Sequence, residues 1–225
     1  MKKMIYTVAY FLCGLLFFFF IHVSFAYAGK ISDIPFTSQA PTGNWADDRF
    51  QNGCEEAAVL MAMRWVQGKK SLSKKQAKKG ILTLVEYQKK NYGSAVDTSA
   101  QDTADRLFKG YYGYTAVEVH YDITKKDIRT ELEKGNIIIV PANGRKLGNP
   151  HFKSPGPLTH MLLIRGYDEK KKEFITNDPG TRYGKLYRYK ESILESALRD
   201  YPTGDHLPIK NRSRAMIIIY PQEKF

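Results

Sequence analysis

The stretch Gln51-Asn52-Gly53-Cys54-Glu55-Glu56-Ala57-Ala58 puts a glycine–cysteine step in front of Ala57 to Val66, a run whose apolar residues suit a buried helix. Cys54 is the only cysteine outside an apolar N-terminal stretch. Far downstream, His160 opens a strand-like apolar run and Asn177-Asp178 closes the next. A single thiol at a helix start, followed in chain order by His and then Asp or Asn, is the pattern of a cysteine nucleophile with a base and an orienting group. Taken alone, a free cysteine serves equally well as a small buried hydrophobe. The order of the other two groups is what favours chemistry.

Working outward, the N-terminus reads as an address. Lys2 and Lys3 precede an apolar stretch from Met4 through Phe20, and Ala26-Tyr27-Ala28 ends it with small residues at the positions a signal peptidase reads. The expectation is a signal peptide over residues 1–28 and one domain over 29–225. The competing reading is an uncleaved anchor, since the apolar run approaches the roughly 20 residues that span a bilayer. Cys13 has no lipobox-like sequence before it. Either way the chain is expected to be exported, to the cell envelope or beyond. With one cysteine left after cleavage, it has no intramolecular disulfide. Its 225 residues include no repeat or low-complexity linker, so a single core is expected.

Net charge is +12, and the excess is unevenly placed. Lys74, Lys75, Lys78 and Lys79 share one face of a predicted helix, while Ile81, Leu84, Val85 and Gln88 mark another. An exported chain without a nucleic-acid-binding motif is not expected to bind nucleic acid. An anionic envelope polymer or lipid surface suits the lysine face better, although a solvated face in a lysine-rich protein accounts for it too. His120, His151, His160 and His206 show no close ligand spacing, so neither a metal nor another cofactor is expected.

The remaining elements follow from pattern. Ile31 to Gln39 reads as extended, Asn44 to Asn52 as a loop, and Cys54 to Gln67 as a helix stopped near Gly68. Helices are predicted over Leu72–Lys90 and Ser99–Lys109, and a half-buried strand over Thr115–Tyr121. Thr124 and Asp127 resemble a capping box for a helix running to Lys134, ended by Gly135. Strands follow at 137–140, bounded by Pro141, at 161–164, 173–176, 186–189 and 215–220, with a short helix over 191–199. The stretch Ala142 to Pro157 reads as an irregular loop bordering the substrate cleft. Helices first and mostly antiparallel strands afterwards give an α+β domain.

A turn centred near residue 170 makes facing residues sum to about 340, which brings His160 close to Asp178 at the open end of a hairpin. Opposed side chains on antiparallel neighbours have Cβ atoms about 4.5–5.5 Å apart. A carboxylate or amide there reaches one ring nitrogen of His160 and leaves the other for Cys54. A helix N-terminus and an imidazolium both lower a thiol's pKa, whereas Glu55 and Glu56 act against the anion.

The segments Ile34-Pro35-Phe36-Thr37-Ser38-Gln39-Ala40-Pro41, Asn44-Trp45, Gly53-Cys54-Glu55-Glu56-Ala57, His160 to Asp168 and Asn177-Asp178-Pro179-Gly180 together resemble the exported branch of the double-glycine-peptidase-like (bacteriocin-processing-like) cysteine peptidases, of the papain-like clan. The resemblance spans about Ile34 to Tyr220. It implies a papain-like fold with N-terminal helices packed on a mostly antiparallel sheet. It also implies Cys54 as nucleophile, His160 as general base, Asp178 as the residue orienting the histidine, and Gln39 as an oxyanion-hole donor beside the Cys54 N–H. Gln51 competes for Gln39's role, and Asn177 for Asp178's. Bacteriocin-processing members carry glycine after the cysteine where this chain has Glu55, so cleavage after a double glycine is not expected.

The reading is thus an exported thiol hydrolase, a cysteine peptidase acting on peptide or protein substrates. An amidase or acyl transferase on cell-wall peptides uses the same constellation. A catalytically silent envelope-binding module would rest on the lysine face and on Tyr111-Tyr112-Gly113-Tyr114, a cluster that packing at a domain edge explains better.

Overall fold

In the computed structural model, residues 31–221 are described; the leader expected at 1–28, with Cys13, lies outside them. Elements run in the order α1 (Asp48–Gln51), α2 (Cys54–Val66), α3 (Lys74–Tyr92), α4 (Ala100–Thr103) continuing into a π-helical segment (Ala104–Tyr111), β1 (Val117–Tyr121), α5 (Lys125–Glu133), β2 (Ile137–Ala142), α6 (Gly144–Leu147), β3 (His160–Asp168), β4 (Glu173–Asn177), β5 (Lys185–Lys190), α7 (Glu191–Ala197) and β6 (Ala215–Ile219). The strands form one antiparallel sheet in the order β1-β6-β2-β3-β4-β5.

Both faces of the central strands are covered. Ile137, Ile139, Met161, Leu163 and Ile217 pack with α2, α3 and the 100–111 segment. Ile138, Val140, Leu162, Ile164 and Ile218 pack with residues of α5, α6 and α7 on the other side. This is why β2 and β3 read as continuous apolar runs instead of alternating. Each such side chain contributes about 1.5–3 kcal/mol on burial. The architecture is α+β as expected, with a second helical layer opposite the N-terminal helices.

Local chemistry fixes the helix ends. Ser73 and Gln76 form a reciprocal capping box at the start of α3, which stops at Gly93 with φ 80°. Thr124 and Asp127 do the same for α5. On α3, Ile81, Leu84, Val85 and Gln88 are buried while Lys74, Lys75, Lys78 and Lys79 stay exposed.

Two local readings change. Pro141 lies inside β2 instead of bounding it, because β6 pairs with β2 only as far as Ile139 and beyond it that side meets just the isolated Ala142–Leu198 bridge, where Pro141 supplies its carbonyl to the Arg199 N–H and no N–H is needed. Both segments read as irregular contain a single helical turn, α1 and α6, each started by an Asx cap: the side chains of Asp47 and Asn143 accept from the N–H groups of Arg49 and Arg145. The tyrosine cluster is packing: Tyr111 sits edge-on to Tyr87 and Tyr112, and the Tyr114 hydroxyl donates to the Tyr220 carbonyl.

Candidate active site

Cys54 is the first residue of α2, and Gly53 before it is a steric requirement. A Cβ on Gly53 would lie 2.7 Å from the Arg49 carbonyl oxygen, so the turn from α1 into α2 leaves no room for a side chain. The Cys54 N–H, first in its helix, has no acceptor within the helix. The thiol is 6 % exposed and donates to Glu55 Oε2 at 3.1 Å. Burial pushes it well above its ordinary range, and the charge and hydrogen bond of Glu55 push the same way. Asp97 adds to this, and the Met161 N–H opposes it.

His160 starts β3, paired in the sheet with Ala142. Its Nε2 meets Asp178 Oδ1 at 2.7 Å, and both residues are buried. The register from Leu163 opposite Asn177 onward sums to 340 or 341, across a bulge between Ile164 and Gly166. Asp178 nevertheless lies one residue beyond β4, in the turn, and reaches the ring from there. Its other bonds hold the carboxylate in place: Gly180 N–H donates to Oδ1 at 2.9 Å, and Tyr189 hydroxyl to Oδ2 at 2.5 Å. Asn149 Nδ2 is 3.4 Å from the same Oδ2 and donates to the Tyr189 hydroxyl at 2.7 Å. Burial alone would raise the Asp178 pKa; the charge and hydrogen bond of His160, with the Tyr189 and Gly180 donors, leave it below the usual carboxylate value. Phe152 stands edge-on to the imidazole, ring centres 5.2 Å apart. A Cβ at Gly180 would lie 2.8 Å from His160 Cε1, so glycine there lets the turn close on the ring.

Asn177, the competitor for Asp178's place, points elsewhere. Its Nδ2 donates to the Pro35 carbonyl, and its Oδ1 accepts from the Leu186 N–H and from Arg165. Gln39 is delivered to the site by its backbone, whose N–H donates to the Pro179 carbonyl at 2.8 Å. Its side-chain amide donates to the carbonyls of Phe50 (3.0 Å) and Gln51 (2.7 Å), while its buried Oε1 meets no partner. Both amide hydrogens are therefore committed in the resting structure. Gln51 is exposed on the same cleft.

Glu55 and Glu56 are fully buried, which their place in a helix's first turn did not reveal. Glu55 Oε1 accepts from the Tyr201 hydroxyl at 2.7 Å, and burial raises its pKa against the Cys54 and Tyr201 hydrogen bonds. Glu56 is pushed well above the carboxylate range by burial and by the neighbouring Glu55 charge; Gln88 Nε2 donates to it at 2.6 Å.

Cys54, His160, Gln39 and Gln51 open on one cleft of about 1100 Å³, with Arg145 and residues 151–159 forming a wall. The loop expected to border the cleft does so. Among the described residues no group of three or more His, Cys, Asp and Glu side chains is placed to hold a metal ion, and no helix is long and apolar enough to cross a membrane.

The Peptidase_C39 like family matches this sequence over residues 31–202, from the segment before Gln39 to beyond the Asp178 turn. The chain belongs to the Peptidase_C39 like family. A crystal structure described as that of a C39-like peptidase from Bacillus anthracis shares the fold, with a TM-score of 0.54 over 86% of this chain and 98% of that one at 13% identity. Among curated proteins, none matches this sequence. Membership in the C39-like family points to a peptidase of the cysteine type with a peptide or protein substrate.

Four features of this C39-like site went unread in the sequence: Tyr189 and Asn149 behind Asp178, Tyr201 on Glu55, and Asp97 with His206 at the cleft rim. Tyr189 had a readable signal, since position 189 lies on the strand after the Asp178 turn. The others are brought in by loops with no periodic pattern.

Proposed function

We propose that the chain is an exported cysteine peptidase working through Cys54, His160 and Asp178. The observation that carries this reading is the buried 2.7 Å contact between His160 Nε2 and Asp178, opening on the same cleft as Cys54. With Nε2–H donated to the carboxylate, Nδ1 is the nitrogen left to act as a base. It takes the thiol proton as Cys54 attacks the substrate carbonyl, and the resulting imidazolium protonates the leaving amine. Water then cleaves the acyl-enzyme by the same proton route in reverse. The Cys54 N–H is one oxyanion donor; Gln39 becomes the second when its amide exchanges one backbone carbonyl for the substrate oxygen.

Glu55 restrains the thiol in the resting state. It holds the Sγ proton away from the base, and substrate entry that breaks this bond frees the thiol for His160.

Export rests on the leader, Lys2 to Ala28. An anionic envelope surface would meet Lys74, Lys75, Lys78 and Lys79, which are exposed and form no ion pair among the described residues.

The experiment is hydrolysis of a peptide library by the mature protein and by Cys54→Ala, with circular dichroism to check that both fold. Turnover in the first and none in the second is expected. Equal turnover would remove Cys54 from the mechanism.

A further inference from the structure

The cleft that holds Cys54 is lined by four permanent cations, Arg145, Lys153, Arg182 and Arg199, and by a single carboxylate, Asp97. That carboxylate is occupied: Thr159 Oγ1 donates to Asp97 Oδ1 at 2.7 Å, and His206 Nδ1 and N–H both approach Oδ2, at 2.8 and 3.1 Å. None of the four cations forms an ion pair among the described residues. Elsewhere on the molecule Arg49, Arg106, Arg129, Arg188 and Arg214 each meet a carboxylate. Arg64, Arg165 and Arg212 also form no ion pair among the described residues, so unpaired arginines are not confined to the cleft; what marks the cleft is that three of them and Lys153 line one space whose single carboxylate is already occupied.

Arg199 is the most constrained of them. Its backbone N–H donates to the Pro141 carbonyl, and its neighbour Leu198 bridges to Ala142, so the residue is fixed to the end of β2. Its Nη2 donates to the Leu158 carbonyl at 3.0 Å, two residues before His160. Its Nε is buried and has no partner. That N–H is closed off from solvent, so an anion in the cleft would be met by the rest of the guanidinium, which lines the cleft without a carboxylate beside it. Arg145 is aimed along the same wall, with Nε on the Gly156 carbonyl at 3.2 Å, and Lys153 lies between them in sequence on that wall. The same cleft is also lined by the exposed apolar side chains of Trp45 and Leu207, with Pro208 and Ile209.

We propose that the cleft selects peptides carrying acidic side chains, whose carboxylates sit on the Arg145–Lys153–Arg199 wall while an apolar neighbour rests against Trp45 and Leu207. This rests on the cysteine peptidase reading for what happens to the peptide afterwards, but not for the binding itself. Low-dielectric walls around like charges focus the field and raise the local concentration of anions. Arg presents a fork matched to a carboxylate, which adds orientation to attraction.

The test uses the full mature protein as Cys54→Ala, so that binding is read without turnover. The probe is a pooled set of N-acetylated octapeptides in which each glutamate-bearing sequence has a glutamine-bearing counterpart. Retention on the immobilised protein should favour the glutamate members by about 10-fold at low salt and lose that preference near 1 M salt, where the screening length falls to about 3 Å. Arg145→Gln and Lys153→Gln, both at exposed positions, should each reduce the preference, and with Arg199→Gln should abolish it. If Arg199→Gln does not fold, the two exposed substitutions still decide. Equal retention of the two halves, or of neither, overturns the proposal, as does a preference that survives the charge-neutralised variants. Alkylation of Cys54 by iodoacetamide in the unmodified protein reads the nucleophile separately, so failure of acidic selection and failure of the peptidase reading are told apart.

Discussion

Asp178 Oδ1 lies 2.7 Å from His160 Nε2, from a position just past the end of β4 rather than from a residue paired with His160 in the sheet. The ring's own sheet neighbour is Ala142. The contact therefore depends on the Asp178-Pro179-Gly180 turn closing over the imidazole, and the turn is held by the Tyr189 hydroxyl, the Gly180 N–H and the bond from Gln39 N–H to Pro179.

Replacing Asp178 by Asn keeps the shape but removes the charge that stabilises an imidazolium. Turnover should fall by about 10²-fold or more, the scale of a general-base contribution. Asn177→Ala should leave turnover nearly intact while lowering thermal stability, because Asn177 bonds the Pro35 carbonyl and Leu186 N–H and not the ring. Steady-state kinetics and melting curves on the pair check this. The reverse ranking would move the orienting role to Asn177.

The Tyr189 hydroxyl should matter to stability through Asp178, and in a pH-dependent way. The folded Asp178 pKa lies below the ordinary value of 3.8. Its contribution is thus fully present above that value and is lost as pH falls through the lower folded value. Tyr189→Phe removes a hydrogen bond to a charged group, worth about 1.5–3 kcal/mol. The stability gap between the variant and the unmodified protein should be largest near neutral pH and should narrow below the ordinary carboxylate range, as Asp178 takes up a proton in both. Denaturant melts from pH 7 down to acid read the gap; a gap independent of pH would mean Tyr189 acts by packing alone.

Glu55 is expected to act as a brake on the thiol. Its charge and its hydrogen bond both favour the protonated sulfur, after burial itself. Glu55→Gln should therefore make Cys54 alkylate severalfold faster at neutral pH, with the midpoint of the pH–rate curve moved downward. Slower alkylation in that variant would show that Glu55 helps remove the proton. Tyr201→Phe frees Glu55 Oε1 without touching its charge and should change the midpoint less.

The two glutamines separate by kinetics. Gln39→Ala should lower kcat by about 10²–10³ with KM little changed, as loss of an oxyanion donor does. Gln51→Ala should shift KM more than kcat, because its side chain is exposed at the cleft while its carbonyl holds Gln39. If Gln39→Ala keeps its kcat, the amide never leaves the Phe50 and Gln51 carbonyls during turnover.

Much of the fold was legible because its signals are local. The capping boxes at Ser73 and Thr124, the β-branched run at Ile137 and the hairpin sum near 340 each depend on a few neighbouring residues. Cys54, His160 and Asp178 could be singled out as candidates for a related reason, since Cys54 and His160 each start a regular element and Asp178 directly follows the end of one. Pro141 was misplaced because edge exposure is a property of the assembled sheet. Glu55 and Glu56 looked like ordinary first-turn acids; nothing in their neighbours tells that Tyr201, 146 positions away from Glu55, supplies a buried donor. The commitment of the Gln39 amide was equally hidden, because its acceptors are backbone carbonyls, which any sequence provides.

The central claim is that His160 takes the proton from Cys54, and the most direct measurement is the alkylation rate of Cys54 by iodoacetamide at pH 7 in the unmodified protein and in His160→Ala. Cys54 is the only cysteine among the described residues, and mass spectrometry confirms the labelled position. The account predicts that the rate falls by about 10²-fold or more when the imidazole is removed, within the range that a positioned base supplies. Equal rates in the two folded proteins would contradict it.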